Sequence, residues 1–255
     1  MKISSLEIAG SGHAGSCYQA DVGLTDYEKY IRTEELLSLQ KSPASLSCHD
    51  ELQFQVVHQA HELYMKLIEH ELRFVCQQLA LGAAARAITT LRRISTTQHV
   101  LLHSVELLDT MAPTDYMTIR TGLGRGSGQE SPGFRTMLKL PGELVWPAFS
   151  AFLEKQGVTL REIYEQPHAH HQLFQLCEGL VDYDQLLQTW RYRHLMLVYR
   201  IIGTGTPSLK GKHSDLLESG RKTRFFPALW DVRDEVFGAW TAAQAAKGND
   251  TGYHA

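Results

Sequence analysis

The sequence predicts an all-α protein, a helical bundle folded as one domain. Apolar residues recur at intervals of three and four over several long stretches, alternating strand patterns are scarce, and the breaks between stretches are mostly short. A chain of 255 residues is long enough to bury one sizeable core. We therefore expect a single domain over residues 1–255, with a Gly-rich arm at 1–22 and a fraying tail at 242–255.

Composition and charge argue against several classes of protein. The formal charge of −3 lacks the basic excess of a protein that tracks nucleic-acid phosphates. The chain has no long apolar run of membrane-spanning length, and its first residues lack the apolar segment of a signal peptide. Its four cysteines are widely spaced without a CxxC pair, which indicates reduced thiols. We expect a cytoplasmic protein that binds neither nucleic acid nor membrane.

The first half of the chain predicts two short helices followed by two long ones. The short helices fall within 26–40, the second with Thr33 as its N-cap. A long helix is expected from about Asp50 to about Leu81, ended by Gly82, and another from Ala84 to Met111.

The second half begins with the Gly-dense loop 121–134. A helix is expected to start between Pro141 and Trp146 and to end at Gln156. Residues 167–203 predict a helix, a turn near Gly179 and a further long helix.

The segment HDELQFQVVHQAHELYMKLIEHEL (49–72) carries histidines on an apolar face. At 100° per residue, one narrow stripe contains Phe54, His58, His61, Met65, Ile68 and Leu72. A second apolar stripe on nearly the opposite side contains Val56, Ala60, Leu63 and Leu67. A helix that is apolar on two sides is predicted to lie inside a bundle. By itself, His58 is most simply a buried neutral histidine with a hydrogen-bond partner. His58 and His61 are three residues apart and not at the i,i+4 spacing of a helical zinc site, which argues against zinc.

A second long helix also carries one histidine on an apolar stripe. This stripe contains Tyr183, Leu187, Trp190, His194, Val198 and Ile201. An imidazole fixed in an apolar wall suits axial ligation of a haem iron, and Arg191, Arg193 and Arg200 could pair with haem propionates. On this helix alone, a core histidine with a hydrogen-bond partner remains the alternative.

Taken together, these segments resemble the tryptophan 2,3-dioxygenase family of haem enzymes. The resemblance extends from about Tyr27 to about Phe237. Its most specific parts are HDExxF-x3-HQ-x2-EL and WRxRH-x3-V-x-R-x-IG, whose histidines lie about 136 residues apart. It implies an all-α bundle that encloses haem b and catalyses oxygenation.

The resemblance also implies a role for individual residues. His194 matches the proximal ligand of the haem iron, and His58 matches the catalytic distal histidine that faces the substrate's indole nitrogen. Arg120 matches the arginine that holds the substrate carboxylate, a pairing for which a planar guanidinium is well suited. The other matched substrate-binding positions are Phe54, Tyr116, Leu123, Ser127, Tyr27, Tyr30 and Ile31. In the family, the segment matching the last three reaches the neighbouring subunit's site within a homotetramer.

Two loops depart from the family pattern. SGQESPGFR stands where the family has SGFQS-x2-YR, so Pro132 and Gly133 are additions to the usual pattern. IIGTGTPSLKG shortens a GTGGSSG-type loop whose threonine contacts the substrate, and either Thr204 or Thr206 is the equivalent. The loops that enclose the amino-acid end of the substrate are therefore expected to differ.

The implied activity is oxygen insertion at the indole C2–C3 bond of L-tryptophan or a close derivative such as β-methyltryptophan, with O2 or H2O2 as oxidant. Two alternatives remain open. One is a monooxygenase or peroxygenase that forms a 2-oxindole or hydroxylated product in secondary metabolism. The other is a haem-binding sensor or carrier without turnover.

Overall fold

The computed structural model describes residues 23–124, 126, 128–204 and 224–250, without the side chains of Gln129 and residues 247–250. All the regular secondary structure in these residues is helical, which confirms the predicted all-α class. The α-helices are α1 (Asp26–Ile31), α2 (Thr33–Leu37), α3 (Glu51–Ala80), α4 (Ala84–Leu108), α5 (Pro113–Gly122), α6 (Pro132–Leu140), α7 (Trp146–Gln156), α8 (Leu160–Glu165), α9 (His171–Ile202) and α10 (Pro227–Asp250). Short 3₁₀ turns occupy Pro43–Ser45 and Gly128–Glu130.

The core is built on α3, α4 and α9. Helix α4 packs against both α3 and α9, whereas α3 and α9 have no backbone contact with each other among the described residues. This arrangement leaves a space between α3 and α9. Helices α6 and α7 also pack against α3. The predicted end of α3 is confirmed, since Gly82 follows it with a φ of 74°, a conformation that favours glycine.

The predicted turn near Gly179 is wrong, because α9 continues without interruption from His171 to Ile202. A Cβ added to Gly179 would lie 3.0 Å from Leu91 Cδ1 and 3.1 Å from Leu91 Cβ. The glycine therefore allows α9 to approach α4 closely. From sequence, a glycine required by helix packing is indistinguishable from one required by a turn.

Three other boundaries differ from those expected. Arg32, with a φ of 55°, is the N-cap of α2, and Thr33 is already helical. Helix α6 was not predicted, and it continues through a π-helical turn, Pro141–Val145, into α7. Pro141 has no backbone N–H to donate to the preceding turn, which explains the local change of helix type. Helix α10 includes part of the tail expected to fray, where several alanines favour helix.

The second apolar stripe of α3 is not buried in the single chain. Val56 is 47% exposed, Leu63 53% and Leu67 38%, whereas Ile68 and Leu72 on the first stripe are completely buried. The prediction that both sides of this helix face the interior of the chain is therefore wrong. The core covers the first stripe only.

The start of α3 is held by a buried carboxylate, and this gives a pH prediction. Glu51 Oε1 lies 2.5 Å from Lys41 Nζ, and Glu51 Oε2 accepts hydrogen bonds from the Ser47 N–H and hydroxyl. Lys41 and then Ser47 lower the pKa of Glu51 to about 2. Its contribution to stability is therefore complete above the ordinary glutamate pKa of 4.5 and is lost as the pH falls towards 2.

We expect Glu51→Gln to lower the free energy of unfolding by about 1–2 kcal/mol at pH 7, since Lys41 is partly exposed to solvent. Thermal unfolding of the two proteins between pH 7 and pH 3 measures the difference, which should shrink with acidification. Glu69→Gln, at a more exposed ion pair, is the control. A difference that stays constant down to pH 3 contradicts the prediction.

Candidate active site

A cavity of about 440 Å³ lies between α3, α4, α6 and α9. Its wall is lined mainly by apolar side chains, including Met65, Val105, Leu108, Phe134, Leu138, Trp190 and Leu197. The polar groups that reach it include His58, His61, Glu62, Ser131, Arg135, Arg191 and His194. An apolar space of this size with a few converging polar groups is typical of a small-molecule or cofactor site.

His58 of α3 presents a hydrogen-bond acceptor at this cavity. Its Nδ1 lies 2.7 Å from the carbonyl oxygen of Phe54. Because a carbonyl can only accept, Nδ1 must carry the proton, and Nε2 is left with a lone pair. Burial lowers the pKa of His58, so the ring is neutral at physiological pH.

His194 of α9 reaches the same cavity from another wall. Burial lowers the pKa of His194 to about 4, so it is a neutral imidazole with a lone pair to donate. Its ring stacks on Trp190, with ring centroids 5.4 Å apart and an interplanar angle of 12°. The structure thus brings together the two histidines that the sequence singled out.

His61 is a third imidazole in the cavity wall. Its Nε2 lies 2.7 Å from the Ser104 hydroxyl, and Ser104 Oγ donates to the Leu101 carbonyl. Nε2 of His61 is therefore the donor to Ser104, and burial lowers the pKa of His61 to about 4. Periodicity placed His61 on the same stripe of α3 as His58, but it gave no sign that this ring also reaches a cavity.

The three arginines of α9 have different surroundings. Arg191 lines the cavity, Arg193 NH2 lies 3.1 Å from Asp109 Oδ2, and Arg200 is exposed. Of the three, only Arg191 reaches the cavity. A further arginine, Arg135 of α6, also reaches it and was not singled out from sequence.

Two of the residues expected to bind substrate, Phe54 and Tyr116, form a series of ring contacts that begins at His58. The Phe54 ring lies 4.0 Å from the His58 ring, and the Tyr116 ring lies 6.3 Å from Phe54. Burial raises the pKa of Tyr116, while the charge of Arg120 opposes that shift. Leu123, three residues after Arg120, is the C-cap of α5. These ring contacts run from His58 to Tyr116 of α5, and Phe54, Tyr116, Arg120 and Leu123 do not line the 440 Å³ cavity.

The remaining predicted positions are exposed in the single chain or lie outside the described residues. Tyr27 is 70% exposed and Tyr30 89%, and Ile31 is also exposed. Thr204 is exposed directly after Gly203, at the end of α9. Ser127 and Thr206 lie outside the described residues.

An all-α bundle with neutral histidines on different walls of one apolar cavity defines a class of protein able to hold a planar cofactor between helices. The family model for tryptophan 2,3-dioxygenase matches residues 11–144 and 149–236. Similar proteins named tryptophan 2,3-dioxygenase come from Caulobacter vibrioides (34% identity, 82% of this chain and 98% of the relative), Erythrobacter litoralis (32%, 82% and 98%) and Myxococcus xanthus (30%, 84% and 90%). The chain therefore belongs to the tryptophan 2,3-dioxygenase family of haem-dependent oxidoreductases.

The cavity residues fit the haem on which this family depends. Among the described residues, no group of three His, Cys, Asp or Glu side chains could hold a bare metal ion. A porphyrin supplies four ligands itself and needs one imidazole from the protein, which His194 can supply. The indole N–H of Trp190, beside His194, is buried with no hydrogen-bond partner in the described part of the chain.

In that same part, no helix combines the length and apolarity needed to cross a membrane.

Proposed function

We propose that this chain is a haem b-dependent oxygenase that inserts oxygen at the indole C2–C3 bond of L-tryptophan or a β-substituted derivative. The observation that carries the proposal is the pair of neutral imidazoles, His58 and His194, at one apolar cavity. His194 would hold the haem iron, and Arg191 and Arg135 would provide cations for its propionates. The bound haem would supply the iron chemistry that activates oxygen.

The protein's own groups would bind and orient the substrate. The lone pair on His58 Nε2 would accept a hydrogen bond from the indole N–H, and Phe54 and Tyr116 would pack against the ring. Arg120 would hold the carboxylate in two parallel hydrogen bonds. Either Thr204 or Thr206 would add a contact at the amino-acid end. The apolar wall would exclude water from the reacting carbons.

We also propose that the active form is a homotetramer in which α1 of one subunit completes the site of its neighbour. Helix α1 packs only against α2 among the described helices, and it displays Tyr27 and Tyr30 to solvent. The exposed stripe of α3, with Leu63 at its centre, offers an apolar surface for such a contact.

The test is to load the purified protein with haem under anaerobic conditions and add L-tryptophan or β-methyltryptophan with either O2 or H2O2. Product mass then separates the possibilities. A gain of two oxygen atoms supports N-formylkynurenine formation, and a gain of one indicates a monooxygenase or peroxygenase. A haem spectrum without turnover under any condition indicates a sensor or carrier. Light scattering on the same sample tests the tetramer, which a monomeric mass would reject.

A further inference from the structure

We propose that Glu62 and Gly133 form a docking contact that holds α6 against α3 and thereby sets the orientation of the His194 imidazole. Both would be positioning residues, since neither would contact the iron. The inference rests on the proposed haem site, because the angle of His194 matters for chemistry only when it ligates iron. The contact can nevertheless be examined in the haem-free protein.

The first step is a hydrogen-bonded contact between the two helices. Glu62 lies one turn after His58 on α3, and its carboxylate accepts hydrogen bonds from the Ser131 hydroxyl and from the Gly133 N–H, at 3.1 Å. Ser131 is the N-cap of α6, and Gly133 belongs to its first turn. A carboxylate at this end of a helix satisfies free N–H groups and interacts favourably with the helix dipole.

The second step is the closeness of the approach. A Cβ added to Gly133 would lie 2.7 Å from Met65 Cβ and 2.8 Å from Glu62 Oε2, and the first of these atoms cannot move without the α3 backbone. Only glycine allows α6 to start at this distance from α3. Gly133 is one of the residues by which the sequence departs from the family pattern, and the structure gives it this packing role.

The third step is a series of ring contacts that links the start of α6 to His194 on the other side of the cavity. Phe134, the next residue of α6, has its ring centroid 5.3 Å from that of Trp190. The His61 ring of α3 meets Trp190 edge-on at 6.0 Å. Trp190 in turn stacks on His194. The imidazole therefore cannot tilt freely unless Trp190 moves, and Trp190 is held by α3 and by the docked end of α6.

The experiment compares Gly133→Ala and Glu62→Gln with the control Gly142→Ala, whose added Cβ would meet nothing within 4 Å. In the haem-loaded ferrous proteins, resonance Raman spectroscopy measures the iron–histidine stretching band. We expect this band to shift or broaden in both test variants, with haem release about tenfold faster, and to be unchanged in the control. If Gly133→Ala does not fold, Glu62→Gln alone decides.

A second measurement uses the haem-free proteins. The NMR signal of the Trp190 indole N–H, assigned with Trp190→Phe, should shift in both test variants and stay in place in the control. If neither the Raman band nor this signal changes while the melting temperature falls, the contact is only structural and the inference is overturned. If the unsubstituted protein binds no haem, the proposed function fails instead, and the NMR signal still decides on the docking contact.

Discussion

Replacing His194 by alanine is expected to abolish the Soret band of the purified protein and reduce oxygenation to background. His194 supplies the neutral imidazole of α9 at the cavity, and a porphyrin without a protein ligand loses its strongest attachment. Haem affinity should fall by at least roughly a hundredfold, more than the loss of a group that only supports a ligand. Absorption titration with haem measures the affinity.

Two controls separate ligation from folding in that experiment. His70→Ala removes an exposed histidine of α3 and should leave the haem spectrum unchanged. Added imidazole can enter the space left in His194→Ala and should restore a Soret band, because the cavity wall remains. A full Soret band in His194→Ala without imidazole would show that another residue ligates the iron.

Replacing Asp184 by alanine is expected to lower the free energy of unfolding by about 3–5 kcal/mol, more than the loss expected for Glu51→Gln. Asp184 of α9 is 1% exposed, and its Oδ2 lies 2.9 Å from both the Phe225 N and the Trp230 Nε1. The substitution leaves these partly buried donors without the carboxylate that accepts from them. The contacts also attach the start of α10 to α9, so the damage should extend to both helices.

Thermal unfolding followed by circular dichroism measures this effect. A loss of that size corresponds to a melting temperature roughly 6–20 °C lower in a protein of this length. Asp182→Ala, two residues earlier on the same helix and exposed, is the matched control and should change the melting temperature little. Equal melting temperatures for the two variants would show that the buried contacts of Asp184 contribute little.

The sequence predicted where the helices begin and end better than it predicted which of their faces pack against other helices. Periodicity gave the ends of α3 within one or two residues, because the core stripe and Gly82 are local signals. It failed at Gly179, where the need for glycine comes from Leu91 on another helix. It also placed Leu63 inside the fold, since an apolar stripe looks the same whether its cover is this chain or another.

In the candidate site, too, the sequence predicted features of single helices but not those that depend on how the helices pack together. His58 and His194 were singled out because each interrupts an apolar stripe, but periodicity could not choose between packing and ligation. The shared cavity could not be derived, because it depends on how α4 separates α3 from α9. Arg135 lies on α6, which was not predicted, so its approach to the cavity had no signal in the sequence.

The hydrogen bond between His58 Nδ1 and the Phe54 carbonyl means that the main chain determines which nitrogen of His58 carries the proton, while the side chains around it shape the pocket. The acceptor of that bond is a peptide group, so the tautomer of His58 is set by the main chain of its own helix and not by a side-chain partner. Substitutions in the neighbouring loops can therefore change the size and polarity of the pocket while Nδ1 stays bonded to this carbonyl and Nε2 keeps its lone pair. In the proposed site, such an arrangement would allow the choice of substrate to diverge while the acceptor for an indole N–H is retained.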